Sequence, residues 1–298
     1  MVDLAGPSDR VVHAALIAVG HLRADELWPG FTPASVPVAV FDGEQTLLAR
    51  FPGMPPPFLR VPGTSDLSVM PGRHPAVTAN TAVEIQGVGT AAIMLDHANP
   101  PSRDALTALI VHEAFHVFQR AHYPDWGANE AELFMYPHDD ARLAALQRLE
   151  VTALRRSLTA MHGGESRAWA ARVIQTRRER YKTLPEGARA YERETERFEG
   201  LASYVEGKLL TNTSLTILSE DQLGVGQVRR RGYATGLAWA LLLERMRPRW
   251  QQDLDAAPGR YLDELLGQVV APGREDWPGF SHDERATAME RARQDIAA

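Results

Sequence analysis

Residues 112–116 read His-Glu-Ala-Phe-His, a spacing that puts two imidazoles on one face of a helix, one turn apart. Side chains placed that way converge on one point, and a zinc ion accepts neutral imidazole nitrogens at about 2.0–2.1 Å. Glu113, one residue past the first histidine, is placed to face a water at the same metal and take its proton. The chemistry these types and spacing carry is metal-assisted hydrolysis, with His112 and His116 as ligands and Glu113 as general base. The plain alternative is a helix whose two histidines only cap or hydrogen-bond.

Two histidines and a water leave tetrahedral zinc one protein ligand short. Glu199 is the candidate third ligand, inside a helical run from about Ala188 to Leu210, with Glu196 one turn earlier as runner-up. The segment Glu199-Gly200-Leu201-Ala202-Ser203-Tyr204-Val205-Glu206 reads E-G-x-x-x-Y-x-E. HExxH followed by that pattern on a later helix resembles the gluzincin branch of the zinc metallopeptidases, especially the aminopeptidase N and leukotriene A4 hydrolase group. The resemblance implies one Zn2+ per chain on His112, His116 and Glu199. Gly232-Tyr233-Ala234-Thr235-Gly236 is similar to the Y-x-x-G of the same family, whose tyrosine donates to the tetrahedral oxyanion, which makes Tyr233 the second catalytic candidate. Two departures stand out: Phe198 occupies the family's Asn position, and the 82 residues between His116 and Glu199 exceed the family's spacing, so residues 125–190 read as a helical insertion. Tyr204, five residues past Glu199, reads as a core contact.

Around these residues the sequence predicts the elements that position them. Thr90–Leu95 is an apolar strand, Asn99–Ser102 a turn ending in an N-cap, and Arg103 to about Ala121 a helix with Asp104 in its first turn. Leu106, Ile110, Ala114, Val117 and Phe118 supply that helix's apolar side. Further upstream, Val11–Val19 reads as a helix of the mature fold, Val36–Phe41 and Thr46–Arg50 as strands around Asp42-Gly43, and Thr81–Ile85 as the hairpin partner of Thr90–Leu95. The Pro/Gly-rich stretch 51–75 reads as a long surface loop. Beyond the motif helix come helices at about Asp139–His162, Glu165–Thr183, Ala188–Leu210, Leu237–Met246, Tyr261–Val270 and His282–Ala297.

The expected fold class is therefore α+β: a small β-rich N-terminal lobe over residues 1–98 and a mostly helical lobe over 99–298, which the resemblance makes zincin-like with the cleft between them. Net charge of −6 and short basic runs argue against nucleic acid as a partner. No apolar stretch approaches the roughly 20 residues that span a bilayer, and the expected location is cytoplasmic with export left open. The absence of cysteine excludes a thiol nucleophile, a disulfide framework and a Cys-ligated metal. His97, His122 and His138 read as surface or capping groups, and Arg177–Arg180 as an exposed helix face. Arg229-Arg230-Arg231 reads as a loop triplet, solvated or set to bind a substrate carboxylate. The expected function is zinc-dependent hydrolysis of a peptide or protein substrate, endo- or exopeptidic, with Thr90–Leu95 pairing an extended substrate as an added strand. A zincin-fold binding or sensor protein without proteolysis, and a zinc hydrolase of a non-peptide substrate, are the alternatives.

Overall fold

A computed structural model describes residues 7–96, 99, 101–210, 224–270 and 279–297. The chain is of the α+β class, and its contacts divide it into two units: residues 1–125 with 205–213, and residues 126–204 with 214–298. Among the described residues no helix is long and apolar enough to cross a membrane.

Among the described residues the first unit holds helix α1 (Pro7–Gly20) and then six strands: β1 (Val38–Phe41), β2 (Gln45–Ala49), β3 (Leu59–Arg60), β4 (Leu67–Pro71), β5 (Thr81–Ile85) and β6 (Val88–Met94). They form one sheet in the order β3-β4-β2-β1-β6-β5, antiparallel throughout except for the parallel pair β1–β6. The β1–β2 turn is built by Asp42, whose carboxylate accepts from the backbone of Glu44 and Gln45 at 2.9 and 2.8 Å, ahead of Gly43 at φ 100° in the sharp return. Two strands lie inside the stretch expected to be a loop. Leu67–Pro71 pairs with β2 over five residues, and its buried Leu67, Val69 and Met70 make it a sheet member despite the surrounding prolines and glycines.

Helix α2 (Arg103–His122) starts as its sequence predicts, with the Ser102 side chain accepting from the Ala105 N–H at 3.2 Å. Leu106, Ile110, Ala114 and Phe115 are fully buried along it. Phe115 meets Trp28 and Phe31 edge-on, with ring centroids 5.3 and 5.2 Å apart. β6 passes close beneath: a Cβ on Gly89 would come within 2.9 Å of Val117 Cγ1, so a bare backbone lets helix and strand approach. The histidine helix shares its burial with the sheet, and both lie in the first unit.

The second unit is helical: α3 (Ala131–Phe134), α4 (Ala141–Thr159), α5 (Gly163–Tyr181), α6 (Glu186–Gly207), α7 (Val228–Met246), α8 (Gln251–Ala256), α9 (Leu262–Val269) and α10 (His282–Ala297). The last residues of α6, from Val205, count with the first unit. Arg177 and Arg180 on α5, expected on an exposed face, are 2% and 1% exposed. Arg177 donates to Glu150 on α4 at 2.8 Å and to Glu196 on α6 at 2.7 Å, and Arg180 makes a bidentate pair with Glu192 at 2.7 Å. Three carboxylates share two guanidiniums, and they respond differently. Burial works against ionisation of Glu192, yet Arg180 outweighs it and holds the carboxyl at about 2, whereas burial raises the Glu196 carboxyl against the opposing pull of Arg177. Charged residues of this kind count as surface in any sequence reading, because burial of a charge is tolerated only when partners arrive from other helices.

Helices α6 and α7 touch backbone to backbone. A Cβ on Gly200 would lie 2.4 Å from Gly236 Cα, and one on Gly236 would lie 2.2 Å from the Glu196 carbonyl oxygen. Neither obstacle is a flexible side chain, so the helices themselves would have to part. Gly236→Ala is expected to destabilise the protein by about 1–3 kcal/mol, lowering Tm by roughly 2–4 °C per kcal/mol, while Gly226→Ala, where a Cβ meets nothing within 4 Å, leaves it unchanged. Thermal unfolding of both variants checks this, and equal melting temperatures would refute the steric account.

Candidate metal centre

His112, Glu113 and His116 are buried on α2, at 7%, 5% and 4% exposure. Each imidazole is oriented through its Nδ1. That of His112 lies 2.9 Å from Glu206 Oε2, and that of His116 lies 2.8 Å from Gln119 Oε1. A carboxylate and an amide oxygen only accept, so both rings donate from Nδ1 and, when neutral, carry their lone pair on Nε2. The two Nε2 atoms face each other at 3.2 Å. Two lone pairs directed at one point repel unless a cation lies there. Tetrahedral zinc with Zn–N bonds of about 2.0–2.1 Å separates its two nitrogens by about 3.3 Å, so the pair fits zinc with almost no movement. Anchoring of the far nitrogen by a carboxylate or amide is the arrangement that fixes ligand histidines in metal sites.

Helix α6 supplies the carboxylates. Glu199 and Glu206 are seven residues apart on it, two turns along nearly the same face. Glu206 accepts a hydrogen bond from His112 Nδ1–H, and the ligand atoms of His112, His116 and Glu199 all lie within 4.8 Å of one another. The His-His-Glu set is the one expected from the sequence and its resemblance, and two imidazole nitrogens with one carboxylate oxygen are the protein donors of an open zinc site.

Tyr233 stands beside Glu199. Arg229 Nη2 lies 3.2 Å from Glu199 Oε1 and 3.5 Å from the Tyr233 hydroxyl, while Arg229 Nη1 reaches Glu130 Oε1 at 3.1 Å. Burial, followed by the Glu199 charge, raises the Tyr233 phenol above its ordinary value, with Arg229 pulling the other way; the hydroxyl therefore stays protonated at neutral pH. The close passage of α6 at Gly200 against α7 at Gly236 sets this neighbourhood, because each glycine lies within one turn of the residue it serves, Glu199 and Tyr233.

The other candidates fall elsewhere. Glu196 is committed to Arg177 and accepts from Trp239 Nε1 at 3.2 Å, which removes it as a ligand. The Tyr204 hydroxyl bonds Glu244 at 2.9 Å, and its ring packs edge-on against Trp250. His122 bonds the Phe118 carbonyl at 2.9 Å at the end of α2, and His138 bonds the Val225 carbonyl at 2.7 Å. His97 lies outside the described residues. Arg229–Arg231 form the first turn of α7, not a loop, and Arg231 is buried. β6 is an interior strand, paired with β5 on one side and β1 on the other, so it has no free edge for an extended substrate; the open edge on that side belongs to β5.

Sequence reasoning missed the anchoring roles of Gln119 and Glu206. Both were signalled by spacing, Gln119 at three residues past His116 on the same helix face and Glu206 two turns past Glu199. No family model matches the chain, and no curated protein or solved structure matches it either.

Because Glu206 fixes the tautomer and direction of His112, Glu206→Ala is expected to weaken zinc binding about 10–100-fold while leaving Tm of the metal-free protein nearly unchanged. Competition with a chelating dye measures the affinity; an unaltered zinc affinity would show that the anchor does not orient the ring.

Proposed function

We infer that this protein is a zinc-dependent metallopeptidase with a zincin-like arrangement, acting on a peptide or protein substrate. The observation that carries this reading is the pair of α2 imidazoles, each held by an acceptor at Nδ1, with their Nε2 atoms 3.2 Å apart. The proximity of Glu199 to that pair supports a third ligand, and Glu113 between the histidines supports a catalytic rather than a structural site, since a structural site needs no general base.

His112, His116 and Glu199 would hold the zinc ion, which when bound would supply a water of pKa about 7 and polarise an amide carbonyl. Glu113 takes the proton of the attacking water and passes it to the leaving amine nitrogen, so that one carboxylate serves as base and then as acid. Burial of Glu113 shields that proton from bulk water and strengthens its interactions during transfer. Tyr233, kept protonated by its surroundings, donates a hydrogen bond to the oxygen that gains charge as the carbonyl becomes tetrahedral. Arg229, nearly half exposed and already turned towards Glu199 and Tyr233, offers a guanidinium to a substrate carbonyl or carboxylate.

Three substitutions separate these roles. Glu113→Gln should abolish hydrolysis of a peptide library with zinc still bound near one per chain, Glu199→Ala should lose the metal, and Tyr233→Phe should lower kcat roughly 10²–10³-fold with zinc content unchanged. Zinc analysis paired with library digestion reads all three. Bound zinc without cleavage of any peptide by the parent protein would favour a binding protein or a hydrolase of another substrate, and a Glu199→Ala variant that keeps its zinc would remove Glu199 from the ligand set.

A further inference from the structure

Helices α5, α6 and α9 line a cavity of about 540 Å³ in the second unit, within the size range of small-molecule sites. It is lined by five cationic side chains, two of which are engaged. Arg177 belongs to the buried pairs with Glu150 and Glu196, and Arg193 donates to Asp263 at 2.7 Å. Among the described residues, Arg178, Lys182 and Arg189 make no ion pair or side-chain hydrogen bond. Of the acidic lining residues, Asp263 is neutralised by Arg193, and Glu264 accepts from the Tyr261 N–H at 3.2 Å in the cap of α9 and lies 3.6 Å from Arg193, which leaves Glu186. Three uncommitted cations thus face one uncommitted carboxylate, in a chain whose net charge is −6. Surface cations in an acidic protein ordinarily find acidic neighbours, so their convergence on one concavity makes a local anion trap.

A second observation lies in the same wall. Arg189 Nε, a donor, and Asp263 Oδ1, an acceptor, are both buried without a hydrogen-bond partner. Asp263 is 7% exposed, and Arg193 holds its other oxygen through two donors at 2.7 and 3.1 Å, which fixes the direction of Oδ1. Buried polar atoms are almost always satisfied, and here an unpartnered donor and an unpartnered acceptor belong to two residues that line one cavity, where a bound ligand could supply the complement of each.

We propose that this cavity binds a compact organic polyanion, carrying at least two negative charges for Arg178, Lys182 and Arg189 and a hydroxyl or amino donor for Asp263 Oδ1. Guanidinium and ammonium groups recognise phosphate and carboxylate alike, so the shared chemistry is dense negative charge beside a hydrogen-bond donor. The site is independent of the hydrolytic reading, since none of its lining residues belongs to the His112–His116–Glu199 group.

Isothermal titration of the full chain with fructose 1,6-bisphosphate and with citrate, against sodium chloride at matched ionic strength, tests the proposal. Saturable one-to-one binding of either is expected, and the one that binds more tightly tells phosphate from carboxylate recognition. Arg178→Ala, Lys182→Ala and Arg189→Ala each remove one charge-assisted contact and should weaken binding about tenfold. Arg178 and Lys182 are exposed, so these variants should keep the parent Tm, and that is measured alongside. Absence of saturable binding by both polyanions, or binding that survives all three substitutions together, would overturn it.

Discussion

Helix α6 is the constraint on which the rest of the second unit and the candidate site depend. Within 22 residues it carries Glu192 and Glu196 for the buried arginines of α5, Gly200 for backbone contact with α7, Glu206 for the His112 ring, and the candidate ligand Glu199. At 3.6 residues per turn these five residues fall within an arc of about 120°, so one face of the helix carries all of these contacts and a single rotation would disturb them together. A rotation of α6 that moved Glu199 would also break the pairing of Glu196 with Arg177, leaving an uncompensated charge in a place with 2–4% exposure. That penalty, about 3–5 kcal/mol for a broken buried pair, is what makes the position of Glu199 stiff.

Buried ion pairs do not by themselves stabilise a fold, because desolvation offsets their attraction. The Glu150–Arg177–Glu196 and Arg180–Glu192 pairs are better understood as a register device. Apolar side chains at these positions would tolerate sliding of α5 along α6, whereas bidentate geometry between guanidinium and carboxylate does not. Precision in the placement of Glu199 then follows from groups one and two turns before it on the same helix. The histidines are held by the same logic on α2, where Phe115 locks the helix against Trp28 and Phe31 and the Nδ1 acceptors fix each ring.

Much of this was legible in the sequence where a period or a cap carried the signal. The i, i+4 histidines, the Ser102 cap, the β5–β6 hairpin and the helical runs of α2, α4, α5, α6 and α10 all follow from local rules. What escaped has a common cause. Arg177 and Arg180 look solvated because their partners, Glu150, Glu192 and Glu196, lie 12 to 30 residues away in the chain and meet them only after three helices pack. β4 was hidden by flanking prolines and glycines and is defined by its pairing with β2 rather than by its own composition. The interior position of β6 is likewise a property of the sheet order, which places β1 beside it across a parallel pairing that no local pattern announces.

Anomalous diffraction at the zinc edge, from crystals of the zinc-loaded protein, tests the metal assignment most directly. The account predicts one strong peak, about 2.0–2.2 Å from His112 Nε2, His116 Nε2 and a carboxylate oxygen of Glu199, with Glu206 still on the Nδ1 side of His112. A peak ligated by Glu206 in place of Glu199, or no peak at the imidazole pair, would contradict it.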